Sequence, residues 1–208
     1  MAGDLRSDEA AADREKWEAR YRAPDYLRGT QPVQLLEERL GQLPKGRALG
    51  LAAGAGRNEV FLAQHGYEVT AVDISPKGLS LCRDLARERG VEVATVAADL
   101  RIYDLGQGQW DLITNFYFYQ PEVLPRIMPA LRPGGIFVLQ TFSIDQMDRH
   151  WKPRNPAYLV RPNVLLEIFR GYRVRFYEDG VVQGSYRDQE EAVVRLIVEN
   201  TPVRVPSS

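Results

Sequence analysis

Two glycines and an aspartate stand at spacings that can serve one ligand. Gly54 and Gly56 lie in the run Ala48-Leu49-Gly50-Leu51-Ala52-Ala53-Gly54-Ala55-Gly56-Arg57-Asn58. It reads as a short apolar strand, a glycine turn and a helix opening near Asn58, with Glu59 an acid in the first turn that complements the helix dipole. Bare glycines let a ligand approach the backbone amides of such a turn. Asp73 closes the next apolar run, Val69-Thr70-Ala71-Val72-Asp73, 19 residues beyond Gly54. A spacing of about 20 is that of a ribose-binding acid in nucleotide-binding α/β units. The combination points to a nucleoside-containing cofactor. A dinucleotide fingerprint needs a third glycine three residues after the second, and Glu59 occupies that place. A carboxylate there repels a pyrophosphate, so NAD and FAD lose ground. The plain alternative is a tight strand-to-helix connection that binds nothing.

Other reactive residue types are sparse. The single Cys82 shares a helical stripe with Leu79, Leu85 and Ala86, which makes it a small core residue. The only histidines are His65 and His150, and His65 ends a helix, where it caps carbonyls. No metal site is expected. The run Asn115-Phe116-Tyr117-Phe118-Tyr119 follows a strand. Its rings either fill the core or offer electron-rich faces to a cation.

The elements that must position these residues follow from periodicity and punctuation. Asp4 to Arg22 is a charged helix on which Trp17 and Tyr21, four apart, share a face. That pair either docks the helix on the core or covers the ligand. Pro24 to Pro32 is a loop and Leu35 to Leu43 a second helix. Ser75-Pro76 opens a capped helix that runs to Gly90. Strands are expected over Val91 to Ala97, Trp110 to Asn115 and Ile136 to Phe142, the last preceded by an Arg132-Pro133-Gly134-Gly135 turn. Pro125 and Pro129 break the helical segment between the last two of these strands. Ser143 to Arg161 reads as a long surface loop, Asn163 to Arg170 as a helix, and Tyr172 to Tyr177 as an alternating strand. Asp179-Gly180 is expected to turn the chain into a last strand, Val193 to Val198. Strands alternating with helices make an α/β sheet, and the closing strand–turn–strand gives it an antiparallel end.

The bulk properties exclude several classes. The 208 residues suit one domain. Lysine and arginine number 27 against 28 acids, so no global basic field favours nucleic acid or anionic membrane. No apolar run approaches the roughly 18 residues of a membrane span. A cytoplasmic protein without disulfides is expected.

With these pieces in place, the sequence resembles the class I S-adenosylmethionine-dependent methyltransferases, and among them the tellurite-resistance branch related to thiopurine methyltransferases. The resemblance rests on Trp17-Glu18-Ala19-Arg20-Tyr21, Gly29-Thr30-Gln31-Pro32, Gly54-Ala55-Gly56-Arg57-Asn58, Gly66 to Ser75, Ala98-Asp99-Leu100 and Leu131 to Gly135. It continues through Asn155 to Leu159 and Arg161-Pro162-Asn163. It implies a Rossmann-like seven-stranded sheet, mostly parallel with an antiparallel last strand and helices on both faces. Residues 1–45 would form an N-terminal helical cap and residues 46–208 the methyltransferase domain, one globular unit overall.

The resemblance also implies roles. Ala52, Gly54 and Gly56 would lie along the methionine part of S-adenosyl-L-methionine, with Tyr21 over it. Asp73 would accept the ribose hydroxyl protons and Ile74 pack on the adenine. Asp99 would accept from the adenine amino group, with Leu100 beside it. Asn115 and Phe116 would line the methyl-transfer site. Arg154, Tyr158 and Arg161 would contact a small-molecule substrate, and Tyr186 and Arg187 would be catalytic. Neither nucleic acid nor membrane is an expected partner: the charges balance, no apolar run is long enough to span, and the Asn/Asp-Pro-Pro-aromatic motif of nucleic-acid amino-methyltransferases is missing. Two positions depart from the pattern: Gly50 stands where the family carries an acid, and Tyr186 where the branch carries histidine. A non-catalytic binding protein of the same fold and a nicotinamide oxidoreductase are the rival readings.

Overall fold

The computed structural model describes residues 2–23, 29–150, 153–184 and 189–203. Seven strands form one sheet: β1 (Arg47–Leu51), β2 (Glu68–Asp73), β3 (Ala94–Ala97), β4 (Trp110–Phe116), β5 (Leu131–Phe142), β6 (Tyr172–Gln183) and β7 (Glu190–Pro202). Their order is β3-β2-β1-β4-β5-β7-β6, and only β7 runs antiparallel to its neighbours. The chain steps outward from β1 to β3, then returns to place β4 on the other side of β1. This reversal opens a crevice beyond the carboxyl ends of β1 and β4, where α/β sheets of this kind bind their ligands.

Alternation along the central strands feeds a core on each face of the sheet. Leu49, Ile113, Phe137 and Leu139 join one cluster with Leu165 and Phe169. Ala48, Leu112 and Val138 point the other way and pack with Leu35, Leu36 and Leu62. Such strands, covered on both sides, read as continuous apolar runs. The covering helices are α1 (Ala2–Arg22), α2 (Gln34–Arg39), α3 (Arg57–Gln64), α4 (Pro76–Glu88), α5 (Ile127–Ala130) and α6 (Val164–Ile168). The α4 start is capped as its sequence requires: the Ser75 hydroxyl accepts from the Gly78 amide at 3.1 Å, with Pro76 in the first turn.

Several local expectations are corrected. Asp179 and Gly180 do not turn the chain; they lie inside β6, opposite Val194 and Val193, and the reversal falls between Gln183 and Glu190. The third strand starts at Ala94 rather than Val91. The Arg132-Pro133-Gly134-Gly135 turn exists, with Gly134 at φ 78°, but sits within β5 as a bulge, since Leu131 pairs with Trp110 and Ile136 with Leu112. The Ser143–Arg161 segment is not all surface: Gln146, Leu159 and Val160 are buried, and Gln146 Oε1 accepts from the Ala192 amide at 2.9 Å. No helix among the described residues is long and apolar enough to cross a membrane.

Candidate active site

The crevice is built around the glycine turn between β1 and α3. Past Leu51 the chain enters left-handed backbone at Ala52 (φ 51°), Gly54 (φ 57°) and Gly56 (φ 77°). Two of these places also lack room for a side chain. A Cβ on Gly54 would lie 2.5 Å from the Tyr21 hydroxyl, and one on Gly56 would lie 2.1 Å from Cys82 Sγ. Cys82 is therefore packing under the turn, and burial pushes its thiol up to about 12, far from a nucleophile's range.

Asp73 braces the turn from the end of β2. The Gly54 amide donates to its Oδ2 at 2.8 Å and the Ser75 amide to its Oδ1 at 2.8 Å. Charge-assisted bonds of this kind are what allow a carboxylate to be buried at 5% exposure. Asparagine can accept only one of the two, so Asp73→Asn is expected to cost about 1–3 kcal/mol, read as a lowered urea midpoint with unchanged slope.

Glu59 enters the site from the first turn of α3. Gly50 makes this possible. Its missing Cβ would sit 2.2 Å from Glu59 Oε1 and 2.7 Å from Glu59 Cγ, so the glutamate occupies space that any other residue would fill. Glu59 is 2% exposed, and its Oε2 has no hydrogen-bond partner among the described residues. Burial pushes its carboxyl up to about 7, against the opposing effects of a hydrogen bond from its own backbone amide and of the Arg57 guanidinium. By sequence alone Glu59 is a helix-dipole partner and Gly50 a departure from the family pattern. A glycine in mid-strand is itself the signal of close approach, and the inward acid is what approaches it.

These groups surround a cavity of about 250 Å³. Its wall includes Ala52, Gly54, Gly56, Glu59, Phe116 and Tyr117, along with Gly29 and Thr30. Asn115, beside Leu51 in the sheet, is buried with neither amide atom hydrogen-bonded among the described residues. Tyr117 takes left-handed backbone (φ 60°), its hydroxyl donates to Glu191 Oε2 at 2.6 Å, and it accepts from Gln140 Nε2 at 2.9 Å. Gln140 Oε1 in turn accepts from Arg195 at 2.9 Å. This network ties the rim of the cavity to β5 and β7.

The remaining predicted residues divide. Helix α1 lies along the edge formed by Ile74, Ser75 and Asp99. Tyr21 is buried against Gly54 and Gly78, and Arg14 donates to the Ile74 carbonyl at 3.2 Å. Glu18 accepts from the Ser75 hydroxyl at 2.6 Å and the Lys77 amide at 2.7 Å; those two bonds hold its carboxyl below the usual range. Asp99 is clasped by Arg101, with Nε–Oδ distances of 3.0 and 2.9 Å, and Arg101 reaches Asp13 at 3.5 Å. Leu100 is buried behind it. Sequence alone gives Glu18 no such role because its partners Ser75 and Lys77 lie 57 and 59 residues on; the Arg101–Asp99 pair, two residues apart, was within reach of a local reading, whereas the Arg101 contact with Asp13 was not. Of the substrate candidates, Phe116 lines the cavity. Arg154, Tyr158 and Arg161 are exposed outside it, Arg154 bonding the Arg149 carbonyl and Tyr158 meeting Lys16, 5.0 Å from its ring. Tyr186 and Arg187 lie outside the described residues. His65 Nδ1 stands 2.8 Å from the Phe61 carbonyl, at the helix end.

Comparison with known proteins agrees with this geometry. Residues 48–135, from β1 into the β5 bulge, match the family model described as a methyltransferase domain. The matched stretch holds the strands and helices that build the crevice, 88 of the 208 residues. An uncharacterized methyltransferase of Synechocystis is 32% identical over 127 residues, 58% of each chain. The chain spans about half the length of the curated relatives it matches, from 43% to 58%. Two solved structures share the fold: TehB from Haemophilus influenzae (TM-score 0.70, 14% identity, 84% of this chain and 64% of that one) and an S-adenosylmethionine-dependent methyltransferase from Mesorhizobium loti (TM-score 0.62, 18% identity, 82% and 100%). The likeness to those two structures is one of fold, carried in this chain by the seven-stranded sheet. Its crevice also fits the cofactor, S-adenosylmethionine: the turn has no side chains at Gly54 and Gly56, and a buried carboxylate oxygen at Glu59 awaits a donor.

Proposed function

We propose that this protein is an S-adenosylmethionine-dependent methyltransferase acting on a small-molecule acceptor by in-line displacement. The observation that carries the reading is the braced glycine turn at the β1–β4 crevice, within the stretch that matches the methyltransferase-domain model. When bound, S-adenosylmethionine supplies an electrophilic methyl group on sulfur. The turn amides and Ala52 would hold its methionine end, and Asp73 the ribose hydroxyls through lone pairs left over from the two amides it accepts. Ile74, Leu100 and Asp99 would border the adenine, with Asp99 oriented by Arg101. Residues 1–45 would act as the cap, Tyr21 closing over the turn.

Displacement at a methyl group needs alignment and a dry, electron-rich pocket more than a base. Phe116 and Tyr117 would exclude water there, with Asn115 beside them, and the Glu191–Tyr117–Gln140 network keeps the tyrosine ring in place. No histidine lines the cavity, which favours a soft or already anionic nucleophile. Arg154, Arg161 and Arg187 would recruit an anion, and Tyr158 and Tyr186 would wall the entry. Placement in the tellurite-resistance and thiopurine branch belongs to this proposal, supported by the motif matches and the likeness to TehB.

The test is calorimetry with S-adenosylhomocysteine and NADH in parallel, then label transfer from S-adenosylmethionine to thiols, oxyanions and amines. Micromolar binding of S-adenosylhomocysteine alone, with turnover on at least one class, is expected. Binding without any turnover would leave a sensor of the same fold; NADH binding would overturn the reading. Unchanged turnover in Tyr186→Phe and Arg187→Ala would remove those two from the site.

A further inference from the structure

Resting on that cofactor reading, we propose that Glu59 is the group that receives the ammonium of the bound cofactor's amino-acid end, so that the specificity for that end is carried by α3. Three independent facts place it there. The space it fills exists only because residue 50 is glycine: a Cβ at that position would stand 2.2 Å from Oε1 and 2.8 Å from the carboxyl carbon. Glu59 is one of the residues that line the cavity, together with the turn glycines and Leu51. And Oε2 is fully buried with no donor among the described residues.

A carboxylate in such a place is costly to fold unless a cation or a donor completes it. The groups facing it are Arg57 on its own helix, Asp73 from β2 and Cys82 from α4. Arg57 donates to the Gln31 carbonyl at 3.3 Å, Asp73 is of like charge, and Cys82 stays a neutral thiol. None of these bonds Oε2, and a donor entering from the cavity would complete it. S-adenosylmethionine brings two cations, a sulfonium and an ammonium. The sulfonium has no N–H and cannot fill the open lone pair; the ammonium offers three. Pairing also strengthens with burial, because the cavity wall around Glu59 is apolar or bare backbone on the side of Leu51 and Ala52.

Titration calorimetry with two ligands separates this role from a structural one. S-adenosylhomocysteine has the ammonium; 5′-methylthioadenosine has the same adenosine and thioether without the amino-acid end. Glu59→Gln, nearly the same shape, is expected to bind S-adenosylhomocysteine roughly 30- to 100-fold more weakly and methylthioadenosine as the wild type does. Wild-type affinity for S-adenosylhomocysteine should rise about tenfold per unit as pH increases toward about 7 and level off above it, since the proton on Glu59 must leave before the ammonium pairs. The Gln variant should show no such rise. Moving the carboxylate to the strand, Gly50→Asp with Glu59→Ala, should recover at least tenfold over Glu59→Ala alone. Equal binding of S-adenosylhomocysteine by wild type and Glu59→Gln overturns the proposal, as does equal loss of both ligands. Wild-type protein that binds neither ligand overturns the cofactor reading itself, and this inference with it.

Discussion

Gly56→Ala is expected to remove about 2–5 kcal/mol of stability and, with it, the ordered turn. Two costs combine. At φ 77° an alanine pays roughly 1–2 kcal/mol for left-handed backbone. Its Cβ would also fall 2.1 Å from Cys82 Sγ, 2.6 Å from Cys82 Cβ and 3.1 Å from the Cys82 backbone. Overfilling a packed site of this kind costs roughly 1–3 kcal/mol, because α4 has to move. The two parts can be separated. Cys82→Ala in the same chain relieves the contact with sulfur but not the backbone strain. Alanine at 82 keeps its Cβ, 2.6 Å from the new one, so urea denaturation of the double variant should recover part of the loss and leave more than the roughly 1–2 kcal/mol of backbone strain. Full recovery would show that the left-handed conformation carries no cost here; no recovery would show that Cys82 does not support the turn.

The second large effect has the opposite sign. Without ligand, Glu59→Gln is expected to be more stable than the wild type at pH 8 by about 3 kcal/mol. Burial raises the folded-state pKa of Glu59 to about 7 from 4.5. Below pH 4.5 the carboxyl is protonated in both states and costs nothing. Between 4.5 and 7 the unfolded chain ionises first, so wild-type stability falls as pH rises, and above about 7 the loss is complete. Glutamine has no such term. For a chain of this size the difference corresponds to roughly 6–12 °C in Tm at pH 8, vanishing near pH 4.5. A gap that is constant with pH would mean that Glu59 does not titrate in the folded protein. Loss of stability in exchange for a poised carboxylate is the pattern expected of a binding site, and saturating S-adenosylhomocysteine should narrow the gap.

Much of the architecture is legible in local pattern because it depends on local pattern. The apolar runs around Leu49, Val72, Ile113 and Val138 are strands of a sheet covered on both faces, and their alternation assigns each side chain to one core or the other. Ser75-Pro76 announces the α4 start because a cap acts within four residues. The Asp179-Gly180 reading fails for the complementary reason. A turn-forming pair gives way when its backbone is held by a partner strand, and Val193 and Val194 supply one. Which runs of chain find such partners is not a property of the run.

The same division runs through the site. Residue types and spacing alone determined a bare turn after β1, an acid at the end of β2 and hence a nucleoside-type ligand, since these follow from chain stiffness and the order of elements. Only the tertiary structure decided what each acid faces: Asp73 the turn amides, Asp99 the Arg101 guanidinium, and Glu59 the hollow above Gly50. Those partners are fixed by how strands and helices stack, and a carboxylate's chemistry depends on its neighbours in space.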